Sequence, residues 1–137
     1  MTPIRIAAAV ILDETGRTLL VRKRGTKAFM QAGGKIEPGE APLDALRREL
    51  KEELDIDLGT EAPDYLGNFS APAANEAGHT VEAEVFLLRL SRPVQPAAEL
   101  EEIRWVDIHS IPPMILAPLT RDHLLPAARG HSLFSRK

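Results

Sequence analysis

Three glutamates, Glu49, Glu52 and Glu53, fall within little more than one turn of a predicted helix. A helix advances by about 100° per residue, which places Glu52 and Glu53 about 60° and 40° from Glu49, on opposite sides of it. Like charges at these spacings each destabilise a helix by about 0.2 to 0.5 kcal/mol, and the neighbouring Arg48 is a single cation. A divalent cation such as Mg²⁺ would offset the repulsion, because it binds carboxylate oxygens and keeps other positions for water and phosphate.

The alternative for this helix is a solvated charged face, which is the usual interpretation of a helix rich in Glu, Lys and Arg. The loop before the helix favours a site instead. Gly33, Gly34 and Gly39 lie there, and glycine lets backbone N–H groups turn toward an anionic ligand, although glycines also form plain turns. Diphosphate chemistry requires acids that hold a metal ion and glycines that allow the backbone to approach the ligand closely. The two features together therefore predict a diphosphate site.

The helix that carries the acids is predicted over Pro42–Leu54, because leucines recur there at helical spacing. Apolar and alternating runs bounded by turn residues predict the strands. The other predicted elements are strands at Ile4–Leu12, 18–22, 30–35, 65–70, 80–90 and 103–106, and a second helix within 119–130. Strands before and after a central helix predict a mixed α/β sandwich.

Length and composition predict one globular domain over residues 1–137. The chain is 44% hydrophobic and 27% charged, with a net charge of -3. Attraction for polyanions is therefore confined to the basic run LVRKRGTK, which argues against a nucleic-acid polymer as partner. The chain has no cysteine, which excludes disulfides and thiolate metal sites. The apolar run near the N-terminus is nine residues long, too short to span a membrane, so we expect a cytoplasmic protein without a membrane partner.

The segment GKIEPGEAPLDALRRELKEELDI, residues 34–56, closely resembles the Nudix box. That pattern is Gly, five residues, Glu, seven residues, Arg-Glu, an aliphatic residue, any residue, Glu-Glu, any residue, Gly and an aliphatic residue. Every position matches except Asp55, which stands where the family has glycine. Because glycine there would form a left-handed helix cap and Asp tolerates that conformation, we expect a small loss of stability and intact chemistry.

The resemblance implies a Nudix-type α/β/α sandwich with a mixed β-sheet. It also implies a MutT-like nucleotide pyrophosphohydrolase, which uses Mg²⁺ or Mn²⁺ to hydrolyse a nucleoside diphosphate linked to another group. The most favoured reaction converts a nucleoside triphosphate to the monophosphate and diphosphate. Carried over by position, the resemblance implies that Glu49, Glu52 and Glu53 are metal ligands and that one of them can act as general base. It implies that Arg48 orients Glu49 and Glu52. It also implies that Glu40 shapes the loop or joins an outer metal shell, and that Gly34 allows the backbone to approach closely.

Some members of the family add an acid from a distant loop. Glu99 is the preferred candidate here and Glu102 the alternative, and either is equally consistent with a solvated loop charge. Three basic residues are candidates for binding the substrate phosphates, although strand alternation turns at least one of them away: Arg22, Lys23 and Arg24.

The sequence leaves the substrate and the assembly open. Relatives that remove oxidised guanine nucleotides tend to use a polar amide in or near the second helix, and the segment IPPMILAPLTRDHLL contains no Asn or Gln. A nucleoside triphosphate remains the leading substrate, and a homodimer is compatible with it. The alternative from another class is a catalytically silent module that uses the same fold to bind a nucleotide or a protein.

Overall fold

The computed structural model describes residues 3–59, 63–90 and 93–130. The order of elements matches the predicted order, and α1 has the predicted bounds. Predicted strand ends differ from the observed ones by a few residues, as expected for strand boundaries. The elements are β1 (Ile4–Leu12), β2 (Arg17–Lys23), β3 (Ala32–Lys35), α1 (Pro42–Leu54), β4 (Asp64–Pro72), β5 (Thr80–Arg89), β6 (Leu100–Asp107), a π-helical turn (Thr120–Leu124) and α2 (Leu125–Gly130).

The sheet is mixed and runs in the order β4-β5-β1-β2-β6, with β3 added beside β1. β1 and β5 are parallel, and the other named strand pairs are antiparallel. β1 pairs with β2 only at Leu12 and Thr18, whereas its residues 6–9 pair with β3. β1 and β2 therefore pair next to their turn and separate toward the other end, where the glycine-rich β3 pairs with β1.

Gly33 is required for this insertion. A Cβ atom at Gly33 would lie 2.1 Å from the carbonyl oxygen of Ala7, and its φ of 148° belongs to a region that favours glycine. The small side chains of Ala7, Ala8 and Ala9 let the backbone of β3 approach β1 closely. The segment that precedes the acidic helix is thereby fixed to the middle of the sheet.

α1 packs on one face of this sheet. Leu46 and Leu50 are fully buried there and Leu54 is nearly so, in a cluster that includes residues of β1, β2 and β5. Pro42 occupies the first turn, where a missing N–H costs no hydrogen bond. The packing leaves the acidic side of α1 facing β3 and the loop that precedes β6.

The second helical segment packs on the opposite face of the sheet, where Leu124, Leu125 and Ala128 are buried against Val10 and Leu87. This completes the predicted α/β/α sandwich. The segment differs from a regular helix because it begins with a π-helical turn. Pro126 has no N–H to bond the carbonyl four residues earlier, and the N–H of Leu125 donates to Thr120 O, five residues back. In the described part of the chain, no helix is long and apolar enough to cross a membrane.

Candidate functional site

Glu53 is a buried carboxylate at the contact between α1 and β3. Only 5% of the residue is exposed, and the N–H of Gly33 donates to its Oε1 atom over 3.1 Å. The pKa of Glu53 is raised to about 7, chiefly by burial and with smaller contributions from the charges of Glu49 and Glu99, against the lowering effects of the Gly33 hydrogen bond and of Lys23. The charged side chains of Glu49, Glu99 and Lys23 therefore lie close enough to Glu53 to change its pKa.

Glu49 lies directly over Gly34. A Cβ atom at position 34 would be 2.4 Å from the Glu49 carboxyl carbon, closer than any real contact, so the space that a side chain would fill is taken by this carboxylate. The first glycine of the motif and the first glutamate of its helix are thus a matched pair. The requirement for glycine at position 34 is steric, since its φ is not in the left-handed region.

Arg48 links the loop to the helix. Its Nε and Nη2 atoms donate to the two carboxylate oxygens of Glu40 over 3.0 and 2.8 Å, and its Nη1 atom donates to Glu49 over 2.7 Å. The Arg48 guanidinium, followed by the N–H of Glu37, lowers the pKa of Glu40 to about 2. Glu40 thereby shapes the loop, and Arg48 orients Glu49. Within the described residues Arg48 forms no ion pair with Glu52, the other acid that it was predicted to orient.

Glu52 is exposed, in contrast to Glu53 beside it. It lines a surface depression together with Pro93 and Ala97, on the segment that leads to β6. The N–H of Ala97 donates to the backbone oxygen of Glu53 over 2.8 Å, which fixes this segment against the end of α1. The three box acids therefore range from buried to exposed across one edge of the helix.

Glu99 and Glu102 occupy different surroundings. The backbone oxygen of Glu99 accepts a hydrogen bond from Arg24 N–H over 2.7 Å, and the side chain is close enough to raise the pKa of Glu53. Glu102 instead pairs with Arg22 on β2, with Oε1 3.2 Å from both Nε and Nη2. Of the two candidate distal acids, Glu99 is the one whose charge acts on the box.

The three basic candidates are also separated by the fold. Arg22 is occupied by Glu102 and by the carbonyl of Thr26, and its guanidinium lies 5.9 Å from the centre of the Phe29 ring. Arg24 is exposed, 3.5 Å from Glu101. Lys23 is half-buried, and its charge lowers the pKa of Glu53. Lys23 is therefore the basic candidate that lies beside the carboxylates.

The carboxylates fit a divalent cation by their chemistry, although the described residues contain no three acidic or histidine side chains already converged as a set of metal ligands. Glu53 is held in a poorly solvated position with the negative charges of Glu49 and Glu99 nearby. A hard cation between these oxygens would relieve both the burial of charge and the repulsion, and it is the type of ion that carboxylate oxygens prefer.

A buried polar pair that was not predicted from the sequence lies beside the box. The side chain of Gln31 just before β3 accepts a hydrogen bond from the hydroxyl of Thr120 over 2.7 Å. The two residues are 89 positions apart in the chain. No local pattern relates two residues so far apart.

Comparison with known proteins gives a family. Residues 2–127 match the model of the NUDIX domain. The 8-oxo-dGTP diphosphatase of Haemophilus influenzae is 40% identical over 57 residues, which are 39% of this chain and 42% of that protein. The oxidized purine nucleoside triphosphate hydrolase of Danio rerio is 33% identical over 113 residues, 79% of this chain and 69% of that protein. The match to the Haemophilus protein thus spans less than half of its length.

A solved structure supports the fold. The MutT NUDIX hydrolase from Burkholderia pseudomallei superposes with a TM-score of 0.73 at 24% identity, over 93% of this chain and 96% of that one. The α/β/α arrangement with a mixed sheet is therefore shared.

Proposed function

The chain belongs to the NUDIX domain family, and from that premise we propose that it is a metal-dependent hydrolase that cleaves a nucleoside triphosphate to the monophosphate and diphosphate. The activities named for the Haemophilus and Danio relatives, a diphosphatase of 8-oxo-dGTP and a hydrolase of oxidised purine nucleoside triphosphates, support this substrate class. The observation that carries the proposal is the buried Glu53, set between Gly33 N–H and the charges of Glu49 and Glu99.

Glu49, Glu52, Glu53 and Glu99 are the residues that would hold the metal ion, and Mg²⁺ or Mn²⁺ is the ion we propose. Hydrolases of this family generally use divalent metals. Such an ion neutralises the diphosphate and lowers the pKa of water. The spread of the acids from buried Glu53 to exposed Glu52 leaves the outer side open for substrate phosphate.

The other residues of the site position these groups. Arg48 fixes the Glu49 carboxylate over Gly34, and Glu40 fixes Arg48 in turn. Lys23 places a positive charge beside the site, where it would bind a substrate phosphate. Water attacks the α- or the β-phosphorus, and the bond from that phosphorus to the α–β bridging oxygen breaks. The bridging oxygen leaves with the bonding electrons as part of the diphosphate or of the monophosphate, and a box carboxylate takes up the proton of the water.

The experiment is a panel of nucleoside triphosphates with Mg²⁺, in which the products are separated and identified. We expect a monophosphate and diphosphate in equal amounts from at least one nucleotide. If the folded protein binds nucleotides tightly but hydrolyses none of them, the result would contradict the enzyme and support the silent binding module. Release of single phosphate as the first product would contradict the proposed bond cleavage.

A further inference from the structure

Two tight turns lie side by side at one end of the sheet, where β2 ends and β6 begins. One comprises residues 23–26 and the other residues 97–100. Each is closed by a hydrogen bond of 3.1 Å from the N–H of its last residue to the carbonyl of its first. Because β2 and β6 are antiparallel neighbours and Lys23 is paired with Leu100, the two turns are adjacent.

Thr26 closes the first turn twice. Its hydroxyl donates to the carbonyl of Lys23 over 2.8 Å, and its N–H donates to the same carbonyl. The carbonyl of Thr26 in turn accepts a hydrogen bond from Arg22 Nη1 over 2.8 Å, which ties the turn to the end of β2. These bonds hold Lys23, the first residue of the turn, in a defined backbone position.

The second turn is held from both sides. Its Glu99 carbonyl accepts the N–H of Arg24, on the first turn, over 2.7 Å. Its Ala97 N–H donates to the backbone oxygen of Glu53, on the box helix, over 2.8 Å. Between these bonds Ala98 has a φ of 52°, a left-handed conformation in which the Cβ atom crowds the backbone and which persists only where the surroundings impose it. The first turn and the box helix therefore impose the shape of the turn that carries Glu99.

The joined turns bring one charge of each sign to the box, since the charges of Lys23 and Glu99 both act on Glu53. We propose that Thr26 is a positioning residue of the site, because its hydrogen bonds fix the first turn and, through Arg24 N–H, the place of Glu99 on the second. This rests on the proposed function, in which Lys23 binds a phosphate and Glu99 the metal ion. Residues that hold metal ligands in place in this way set the affinity for the metal.

The test measures binding without turnover. The dissociation constants of Mg²⁺, and of inorganic diphosphate without metal, would be measured by isothermal titration calorimetry for the wild type and three variants. Thr26→Val keeps the shape of the side chain but loses the hydroxyl, so we expect it to bind both ligands about tenfold more weakly. Thr26→Ser keeps the hydroxyl and should bind both as the wild type does. Thr15→Val is the matched control, because it removes a turn hydroxyl bonded to Asp13 at the other end of β2, and its affinities should not change.

A second comparison tests whether Thr26 acts on the metal through Glu99. In the Glu99→Gln background, Thr26→Val should weaken Mg²⁺ no further but should still weaken diphosphate, because Lys23 remains on the first turn. The Arg24 N–H should exchange with solvent deuterium faster in ligand-free Thr26→Val than in the wild type, and Thr15→Val should leave its exchange rate unchanged.

Unchanged affinities in folded Thr26→Val, or an equal loss of Mg²⁺ affinity with and without Glu99, would overturn the inference and leave the proposed function standing. Thr26-dependent binding of both ligands in a protein that hydrolyses no nucleotide would instead refute the proposed function and leave the positioning role intact. A wild-type protein that binds neither ligand would overturn both.

Discussion

At the scale of single residues, the site depends on a carboxylate that the fold keeps away from water. Glu53 has its pKa raised to about 7 from an ordinary 4.5, chiefly by burial. Between these pH values the folded protein holds a proton that the unfolded chain has lost, so metal-free stability falls as the pH rises. A metal ion that replaced the proton, as proposed, would remove this cost and would link metal binding, pH and folding at one side chain.

The first prediction concerns Glu53→Gln without metal. Gln cannot ionise, so the variant should match the wild type near pH 5 and exceed it in free energy of unfolding by about 3 kcal/mol near pH 8. Urea unfolding in EDTA from pH 5 to 8 measures the difference, and repetition with saturating Mg²⁺ is the control, in which the wild-type loss at high pH should disappear. A difference that stays constant with pH would contradict the buried, protonated Glu53.

The second prediction concerns Gly34→Ala. The added methyl would meet the Glu49 carboxyl group at 2.4 Å, and because that group is the end of a flexible side chain, it can move while the backbone stays in place. We expect the fold to survive and activity to fall by about tenfold or more, since Glu49 is displaced from its position at Arg48. Gly130→Ala, where the added methyl meets no atom within 4 Å, is the matched control and should be active. Full activity of Gly34→Ala would show that the Glu49 position is not required.

At the scale of elements, α1 ends as the sequence predicts. Asp55 has φ 55° and ψ 38°, the left-handed conformation expected at the position where the family has glycine. Ile56 N–H then donates to Leu50 O over 3.2 Å, and the Asp55 carboxylate pairs with Lys51 over 2.9 Å. The ion pair adds a contact that glycine lacks, and both of its side chains are exposed beside the depression that Glu52 lines.

The third prediction is that Asp55→Gly leaves the free energy of unfolding unchanged or raises it by at most about 1 kcal/mol, because glycine adopts the left-handed conformation without a Cβ clash. The catalytic rate and the Mg²⁺ concentration for half-maximal activity should not change. Thermal melts and Mg²⁺ titrations of the two proteins measure both quantities. A large rise in the required Mg²⁺ concentration would show that Asp55 takes part in metal binding.

The elements differ in how far local sequence could predict them. The bounds of α1 follow from leucine spacing and from Pro42, which are local signals. The insertion of β3 depends on pairing between residues 6–9 and 32–35, and the Gln31–Thr120 pair joins segments 89 residues apart, so neither has a local signal. The π-helical turn has a local signal in Pro126, whose missing N–H interrupts the α-helical hydrogen bonds of the predicted second helix.

At the scale of the whole molecule, the sheet brings together parts that are distant in the chain. The box acids come from α1, the backbone N–H that binds Glu53 comes from β3, and Glu99 comes from the segment before β6. The fixed spacing of the motif predicts the box acids, whereas the Gly33 N–H that binds Glu53 lies outside the motif. The choice between Glu99 and Glu102 needed the fold, because the pairing of β2 with β6 sets Arg22 opposite Glu102.

The fourth prediction compares Glu99→Gln with Glu102→Gln. A bound metal ion stabilises the folded state according to its affinity, so Mg²⁺ should raise the unfolding temperature of the wild type. Glu99→Gln should reduce this rise because it removes a charge from the site, whereas Glu102→Gln should keep it and lower only the metal-free stability through loss of the Arg22 pair. The same response to Mg²⁺ in Glu99→Gln and the wild type would exclude Glu99 as a ligand.

The most direct test of the central claim is the rate of diphosphate release from a nucleoside triphosphate as a function of Mg²⁺ concentration. It would be measured for the wild type, for Glu53→Gln and for Asp44→Asn, which neutralises an exposed acid in the first turn of the same helix. We predict no release without metal, saturable release by the wild type and Asp44→Asn, and a rate lower by about a thousandfold for folded Glu53→Gln. Unchanged Mg²⁺-dependent release in Glu53→Gln would contradict the assignment of the metal site to the box.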